Sequence, residues 1–440
     1  MFELLKNMEG LYQIFKKSTG VCTDTRKVYP GCLFIALKGD NFDGNQYVAQ
    51  ALNSGAFAAI TDDSSIKESL TDSQVTLVDD CLSTLQQLAS HHRDQLSIPI
   101  IGITGTNGKT TTKELCHTVL SSQYSCYATK GNLNNHIGVP LSILEIEDEH
   151  QMAIIEMGAN HIEEIAELCA IAKPTVGIIT NIGKAHLEGY GSFENIIKTK
   201  NELYDYIKST NGRIIYNLDD AILKDLVKNY YSLYSYSRLK KDANISYSIL
   251  EGELCAGIRY HSLDIRSQLF GGYNAENIAC SVALGTFFDV SIDRMETSIS
   301  SYEPGNNRSQ LMDTGSNQLI LDAYNANPTS MMNAVDQFVL LATDRPKWLI
   351  LGDMLELGEY SKEEHLTLIN HLAKHSSQFE KCFLVGKEFE SIRFSKVKNL
   401  VFLNSVDDLR EMIKDWNIES KLIFLKGSRG IHLEKLIDLF

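Results

Sequence analysis

Short apolar runs alternate with stretches of helical periodicity along most of the chain. SIPIIGIT at 97–104, MAIIEMG at 152–158 and TVGIIT at 175–180 are rich in β-branched residues. Runs of this kind are typical of strands that are buried on both faces of a parallel sheet. Between two of them, HIEEIAELCAIA at 161–172 repeats apolar residues at helical spacing. The alternation predicts βαβ units and thus an α/β protein with a central parallel sheet.

Strand and helix patterns also precede and follow this central region. A polar stretch separates it from the preceding set, and a turn-rich stretch separates it from the following set. Residues 31–61 predict a strand, a helix and a strand, and the polar stretch HHRDQ follows at 91–95. Patches of alternating polarity within 243–270 predict antiparallel strands. Turn-forming residues in EPGNNR at 303–308 precede a further series of strand and helix patterns. Its predicted strands are QLILDAYN (318–325), KWLILGD (347–353), KCFLVG (381–386) and KLIFLKG (421–427). We therefore predict three α/β domains, with bounds at 1–96, 97–304 and 305–440.

Composition narrows the classes of partner. Of the 440 residues, 43% are apolar, so the chain can bury several cores, and its net charge of −15 opposes binding to nucleic acid or to anionic membranes. The sequence has no apolar run of about eighteen residues, and its nine cysteines include no CxxC pair, which is typical of reduced, buried thiols. We expect a cytoplasmic protein that does not insert into membranes and that binds any phosphate through loop amides, lysines and a metal ion.

A glycine-rich segment, IIGITGTNGKTTTKEL at 100–115, joins a β-branched strand to a helix. Glycines let backbone amides converge on a phosphate, Lys109 adds a full positive charge, and the Thr110 hydroxyl is a suitable Mg²⁺ ligand. The glycine spacing departs from the strict phosphate-loop pattern, so an ordinary glycine-rich turn is the alternative. We predict a loop that binds the phosphates of ATP through Gly105, Thr106, Asn107, Gly108, Lys109, Thr110 and Thr111.

Two further residues follow buried strands at the same predicted edge. Glu156 ends the strand in MAIIEMG, and His186 follows the TVGIIT strand through a glycine turn. The carboxyl ends of parallel strands form the ligand crevice of open α/β sheets. Glu156 can bind Mg²⁺ beside Thr110, whereas histidine is an unusual ligand for that ion. An ordinary solvated strand end and a hydrogen-bonded histidine are the alternatives for Glu156 and His186.

One lysine occupies the apolar face of a predicted helix at about 192–207. Lys200 lies four residues after Ile196 and three before Leu203. A buried, unpaired ammonium group is costly, so this lysine must extend to solvent, pair with an acid or be modified. A neutral amine can react with CO₂, and the resulting carbamate is an anion able to bind a second Mg²⁺ near His186.

Nine segments resemble, in order, the motifs of the Mur ligase family, and the resemblance covers essentially the whole chain. The segments are TDTR (23–26) with FIALKGDNFDGN (34–45), GTNGKTT (105–111), NLNNHIGVP (132–140), IIEMGANH (154–161), TNIGKAHLEGYGS (180–192), KTKNEL (198–203), DAYNANPTSM (322–331), LGDMLELG (351–358) and KGSRG (426–430). The resemblance implies an N-terminal domain that binds a UDP-sugar, a central ATPase domain and a mobile, Rossmann-like C-terminal domain. It also implies a monomer that uses ATP to join D-alanyl-D-alanine to UDP-N-acetylmuramoyl-tripeptide in peptidoglycan precursor synthesis.

The resemblance assigns roles to individual residues. The implied catalytic residues are Lys109, His186 and Lys200. The implied ligands of two Mg²⁺ ions are Thr110, Glu156, His186 and the carbamate of Lys200. Further implied nucleotide contacts are Asn274, Asn277, Arg308, Asp322, Tyr324, Asn325 and Asn327. The implied substrate contacts are Thr23, Asp24, Thr25, Arg26, Asn134, Asn135, Lys426 and Ser428. Capping and turn formation are the alternative for Asp24, Arg26, Asn134 and Asn135.

Several other functions share parts of this pattern. A sister ligase that adds the third amino acid and a folylpolyglutamate synthetase use the same phosphate loop, but DAYNANP and LGDMLELG favour the dipeptide-adding enzyme. A regulatory ATPase would hydrolyse ATP without an amine substrate. A UDP-sugar binder without catalysis is disfavoured because the candidate catalytic residues Lys109, Glu156 and Lys200 are all present. For the ligase, the γ-phosphoryl group of ATP converts the tripeptide carboxylate into an acyl phosphate, which the dipeptide amine attacks. His186 or a nearby carboxylate is the expected general base.

Overall fold

The computed structural model describes residues 8–39, 41–69, 74–185, 187–305, 307–393 and 397–440. Its strands are β1 (Val21–Cys22), β2 (Leu33–Ile35), β3 (Lys38–Gly39), β4 (Phe42–Asp43), β5 (Ala58–Thr61), β6 (Val75–Leu77), β7 (Ile100–Thr104), β8 (Cys126–Ala128), β9 (Met152–Glu156), β10 (Val176–Ile179), β11 (Arg213–Asn217), β12 (Leu233–Ser237), β13 (Ile245–Ile249), β14 (Cys255–Tyr260), β15 (Leu263–Phe270), β16 (Gln310–Asp313), β17 (Gln318–Asp322), β18 (Lys347–Gly352), β19 (Lys381–Val385), β20 (Leu400–Leu403) and β21 (Leu422–Lys426).

The α-helices connect these strands and cover the sheets. They are α1 (Met8–Lys17), α2 (Val48–Asn53), α3 (Ser64–Ser69), α4 (Cys81–Gln95), α5 (Lys109–Ser121), α6 (Gly138–Leu144), α7 (Glu164–Ala172), α8 (Leu187–Tyr190), α9 (Phe193–Ser209), α10 (Ala221–Leu226), α11 (Ala275–Phe287), α12 (Ile292–Ser301), α13 (Pro328–Leu340), α14 (Ser361–Lys374), α15 (Lys387–Ser391) and α16 (Val406–Ile413). Among the described helices, none combines the length and the apolar composition needed to cross a membrane.

A single sheet runs through the central and C-terminal parts of the chain. Its fifteen strands have the order β20-β19-β18-β21-β17-β16-β15-β14-β13-β12-β11-β10-β7-β9-β8. The strands from β8 to β13 pair in parallel, as do those from β17 to β20. Antiparallel pairs from β13 to β17 join these two parallel sections. The predicted α/β fold is confirmed, and the antiparallel pairing predicted for 243–270 is present in β13–β15.

The N-terminal part forms a separate parallel sheet with the order β1-β2-β5-β6. Helix α4 joins it to the central part through two buried polar side chains. The Arg93 guanidinium donates from Nε to the carbonyl of Ala172, at 3.0 Å, and thereby satisfies a carbonyl at the C-terminal end of α7. A ring nitrogen of His92 lies 2.9 Å from the carbonyl of Ile146. These bonds fix the first sheet against the central domain.

Helix α9, which carries Lys200, packs directly on β7 and β10 because glycines face it. A Cβ atom at Gly177 would lie 2.8 Å from Cγ1 of Ile207, and one at Gly102 would lie 3.1 Å from Cδ1 of Leu203. Both distances are too short for a relaxed contact between carbon atoms. The absence of side chains at these two positions therefore sets how closely Lys200 approaches the sheet.

We predict that Gly177→Ala lowers the free energy of unfolding by about 2 kcal/mol, because the added methyl group overpacks the contact between β10 and α9. Urea unfolding measures the change. The matched control is Gly39→Ala, because no described heavy atom lies within 4 Å of a Cβ at Gly39. Equal stability of the two variants would contradict this account of the packing of α9.

Candidate active site

A cavity of about 720 Å³ lies where β7, β9 and β10 end and where the C-terminal domain faces them. Its size falls within the range of about 300–1,000 Å³ that is usual for small-molecule sites. The predicted site residues that line it are Thr106, Asn107, Gly108, Lys109, Thr110, Thr111, Asn134, Asn135, Glu156, Asn274, Asn277, Arg308, Asp322, Tyr324, Asn325, Asn327 and Lys426. The predicted site residues described outside this lining are Thr23, Asp24, Thr25, Arg26, Gly105, Lys200 and Ser428. His186 lies outside the described residues, so its predicted role remains a prediction.

The phosphate loop has the backbone that the sequence predicts. Gly105 and Gly108 have φ of 145° and 77°, and Gly108 caps the N-terminus of α5. The Lys109 ammonium group bends back over the loop and donates to the carbonyls of Gly105, at 2.8 Å, and Thr106, at 3.2 Å. Burial lowers the pKa of Lys109, and the charge of Glu156 opposes that shift. The loop thus presents a helix N-terminus and a partly desolvated cation to the cavity.

Glu156 supplies a buried carboxylate beside this loop. Its Oε1 accepts hydrogen bonds from the Thr110 hydroxyl, at 3.1 Å, and from Nδ2 of Asn134, at 2.8 Å. Its Oε2 is buried and has no hydrogen-bond partner among the described residues. A buried oxygen without a donor is uncommon and calls for a ligand. A carboxylate and a hydroxyl are hard oxygen donors, so Thr110 and Glu156 fit a Mg²⁺ ion.

Lys113 is a site residue that the sequence analysis missed. Its side chain has no exposed surface, and its Nζ lies 4.0 Å from Oε2 of Glu156. The same ammonium group donates to the carbonyl of Thr129, at 2.6 Å, and pairs with Glu114 at 2.9 Å. Its position three residues before the buried Cys116 was a usable signal, because it puts a lysine on the buried face of α5. Lys113 thus holds α5 and the residues after β8 around the Glu156 carboxylate.

Lys200 lies on the apolar face of α9, as predicted, and only 3% of its surface is exposed. Its Nζ donates to the Tyr190 hydroxyl, at 3.2 Å, and that hydroxyl donates to the carbonyl of Ala159. Burial, reinforced by the charge of Lys109, lowers the pKa of Lys200 to about 7. Extension to solvent is therefore excluded, and no described acid lies within ion-pair distance. A neutral amine is accessible at this position near neutral pH.

The predicted substrate residues of the N-terminal domain lie outside the cavity lining and contact one another. Asp24 makes a two-pronged ion pair with Arg26, with Nε–Oδ1 and Nη2–Oδ2 distances of 2.9 and 2.8 Å. The Arg26 hydrogen bonds lower the pKa of Asp24 to about 2. Asp24 also accepts from the backbone amide of Arg26, and Asn135 accepts from the amides of Ile137 and Gly138. The capping alternative thus describes the present contacts of Asp24 and Asn135, whereas Asn134 contacts Glu156.

The C-terminal domain contributes an aromatic ring between two guanidinium groups. The Arg308 guanidinium lies 3.6 Å from the centroid of the Tyr324 ring, and that of Arg429 lies 5.4 Å from it. Nε of Arg308 is buried without a hydrogen-bond partner among the described residues. Lys426 pairs with Asp322 at 2.6 Å. This face of the cavity therefore carries positive groups opposite the phosphate loop.

Two contacts join the C-terminal domain to the loops of the central sheet. Nδ2 of Asn327 donates to Oδ1 of Asn107 in the phosphate loop, at 2.7 Å. Lys184, which follows β10, forms an ion pair with Glu364 of α14 at 3.1 Å. Because Asn327 also caps α13, its hydrogen bond connects the phosphate loop to the start of that helix.

Asn274 and Asn277 support the loop from the other side. Asn277 accepts from the Thr112 hydroxyl, at 3.0 Å, and donates to Oδ1 of Asn274, at 2.8 Å. Asn274 donates in turn to the carbonyl of Phe270, at 2.8 Å. Their side chains therefore fix the start of α11 against α5. Ser428 has a similar supporting contact, because its hydroxyl accepts from the amide of Leu355 at 2.9 Å.

The chain is similar to known proteins over most of its length. Three family models match the chain: "Mur ligase family, catalytic domain" at 17–93, "Mur ligase middle domain" at 103–285 and "Mur ligase, glutamate ligase domain" at 307–429. The UDP-N-acetylmuramoyl-tripeptide–D-alanyl-D-alanine ligase of Bacillus subtilis is 34% identical over 435 residues, which are 95% of this chain and 92% of that protein. The Escherichia coli ligase of the same name is 31% identical, with coverage of 95% and 92%.

Solved structures resemble the whole chain as well. A crystal structure of MurF from Acinetobacter baumannii superposes with a TM-score of 0.85, at 28% identity and 98% coverage of both chains. MurF ligase from Thermotoga maritima, in complex with ADP, gives a TM-score of 0.83 at 26% identity and 97% coverage of both chains. The fold and the phosphate loop are those of a nucleotide-dependent ligase. The chain belongs to the Mur ligase family, and the predicted resemblance is confirmed.

We predict that Lys113→Met lowers the free energy of unfolding by about 3–5 kcal/mol, because it leaves the buried Glu156 carboxylate without its nearby cation. Urea unfolding measures the change. Lys130→Met is the control, since Lys130 is exposed and pairs with Glu145 at the surface, and it should cost less than about 1 kcal/mol. Similar losses in both variants would show that Lys113 does not support the site.

Proposed function

We propose that the protein joins D-alanyl-D-alanine to UDP-N-acetylmuramoyl-tripeptide and converts ATP to ADP and phosphate. The observation that carries this proposal is the likeness, over 95% of the chain, to relatives named for this ligation. The cavity supports it, because it places a phosphate loop opposite positive groups of the C-terminal domain. We assign the UDP-sugar to residues 1–96, ATP to 97–304, and the dipeptide together with part of the nucleotide to 305–440. We place the reaction in the cytoplasm and take the monomer as the active form, since one chain builds the whole cavity.

The chemistry requires two anions to approach each other, the γ-phosphate of ATP and the carboxylate of the tripeptide. Lys109 would bind the phosphates, and the amides at the N-terminus of α5 would orient them. Thr110 and Glu156 would hold one Mg²⁺, and His186 with a carbamate on Lys200 would hold a second. When bound, these ions would neutralise charge on the phosphoryl group. The protein supplies position and charge for this transfer.

Closure of the C-terminal domain would then bring the dipeptide amine to the acyl phosphate. Two contacts would hold the domain against the central domain. One is the hydrogen bond from Asn327 to Asn107, and the other is the ion pair between Glu364 and Lys184. This position excludes water, which would otherwise hydrolyse the acyl phosphate. We propose that Lys426 and Ser428 lie near the dipeptide, and that Arg308 and Tyr324 contact the nucleotide.

A phosphate-release assay tests the proposed reaction. ADP should form in the presence of the UDP-linked tripeptide, Mg²⁺ and D-alanyl-D-alanine, with one amide bond formed per ADP. Phosphate release at the same rate with and without the dipeptide would instead indicate a regulatory ATPase. If the protein instead joined a free amino acid to the UDP-linked dipeptide, it would be the sister ligase. If it joined glutamate to a folate, it would be a folylpolyglutamate synthetase.

We predict that Lys109→Ala reduces the rate of ADP formation by at least about 1,000-fold, because the phosphates of ATP lose their main positive partner. The same phosphate-release assay measures this change.

The proposed carbamate on Lys200 has a direct spectroscopic test. In buffer with carbon-13 bicarbonate, the protein should give a carbamate resonance that Lys200→Ala lacks. That variant should lose ligation, and short carboxylic acids should partly restore it by occupying the vacated anionic position. Lys198→Ala, on the opposite and exposed face of α9, should retain both the resonance and the activity. Full activity of Lys200→Ala without added acid would reject the carbamate.

A further inference from the structure

Two helices of the C-terminal domain bring two histidines and an aspartate together outside the cavity. Asp336 lies on α13, His371 lies in the last turn of α14, and His375 is the residue that caps its C-terminus. One potential ligand atom from each residue lies within 4.8 Å of the other two. We propose that Asp336, His371 and His375 form a binding site for a divalent metal ion of the zinc class.

The distances suit such an ion. Nε2 of His371 lies 2.5 Å from Oδ1 of Asp336, and the rings of His371 and His375 have centroids 4.7 Å apart. In a tetrahedral site with metal–ligand distances of about 2.0–2.2 Å, ligand atoms are roughly 3.4 Å apart. The one short separation is 2.5 Å, and all three ligand atoms lie within 4.8 Å of one another, so only small side-chain shifts separate this arrangement from that of a metal site.

The position in the fold favours the ion as well. Residues four apart on a helix lie on the same face, which directs His371 and His375 to one side of α14. That helix ends at Lys374, and the unpaired carbonyls at a helix C-terminus attract positive charge. The hydrogen bond between Asp336 and His371 is enough to explain why these two side chains lie together. It does not account for the His375 ring, which lies against the His371 ring.

The two imidazoles and the carboxylate of this site favour zinc-like metal ions over Mg²⁺. Imidazole nitrogens favour Zn²⁺, Co²⁺ and Ni²⁺, whereas Mg²⁺ prefers oxygen ligands such as those of Thr110 and Glu156. All three side chains are half-buried, so the ion can enter from solvent. Three protein ligands leave a fourth position for water. The site is therefore chemically distinct from the one in the cavity.

A bound ion would cross-link α13 and α14. Helix α13 starts at Pro328, directly after Asn327, whose side chain bonds to the phosphate loop. Helix α14 carries Glu364, which pairs with Lys184. Both helices that contact the central domain would therefore become one rigid unit, and we expect the bound metal to raise the temperature of unfolding.

The test uses the full chain without an affinity tag, treated with chelator and then saturated with Mg²⁺. Calorimetric titration should show one Zn²⁺ bound per chain. Co²⁺ should give the ligand-field bands of a tetrahedral nitrogen and oxygen site without a thiolate charge-transfer band. Asp336→Asn and His375→Gln should each weaken Zn²⁺ binding by at least about tenfold, because each removes one ligand. Both should also abolish the rise in unfolding temperature.

The matched control is His432→Asn, which removes a histidine of the same domain that pairs with a single carboxylate, Glu434, at 3.1 Å. Asparagine also tolerates the positive φ of 62° at this position. The control should bind Zn²⁺ as the unaltered protein does. Equal Zn²⁺ affinity in the unaltered protein and in both site variants would overturn the proposal, as would a thiolate band with Co²⁺. Neither outcome would bear on the proposed ligase activity.

Discussion

The two anions that react in this ligation repel each other, and the buried positive charges of the protein offset that repulsion. A chain with a net charge of −15 repels both ATP and an acidic peptide, so it needs local positive charge at the reaction site. The protein places it in buried lysines at the carboxyl edge of the parallel sheet. Lys109 lies on the phosphate loop, Lys113 lies behind Glu156, and Lys200 faces inward from α9. Burial strengthens the field of each charge and lowers the pKa of Lys109 and of Lys200.

The same packing that buries these lysines fixes their positions. Gly102 and Gly177 allow α9 to lie against the sheet. The first part of α5 is held through two consecutive residues, because Thr112 bonds to Asn277 and Lys113 bonds to the carbonyl of Thr129. The phosphate loop itself is hydrogen-bonded to the residues after β10, because Asn181 accepts from the backbone amide of Asn107 and Thr180 donates to its carbonyl. The C-terminal domain contacts this loop through the hydrogen bond from Asn327 to Asn107.

The sequence predicted the parts of this arrangement that depend on local pattern. Apolar runs identified β7, β9, β10, β17, β18, β19 and β21, and the inward position of Lys200 followed from helical spacing alone. Strands such as β11, β12 and β16 were not predicted, because their apolar content is ordinary and their pairing depends on distant segments. Lys113 was missed although it shows the same anomaly as Lys200, since a lysine just after a phosphate loop does not stand out. The contacts of Thr112 with Asn277, and of Asp336 with two histidines, join elements that are distant in sequence, so no local pattern could indicate them.

In the proposed reaction, direct phosphoryl transfer at the edge of the sheet activates the tripeptide carboxylate. An isotope experiment tests this step with UDP-linked tripeptide labelled with oxygen-18 in its terminal carboxylate, together with ATP and D-alanyl-D-alanine. One labelled oxygen should appear in each phosphate released, because the carboxylate oxygen leaves with the phosphoryl group when the amine attacks. Unlabelled phosphate, formed at the same rate as the amide, would contradict the account.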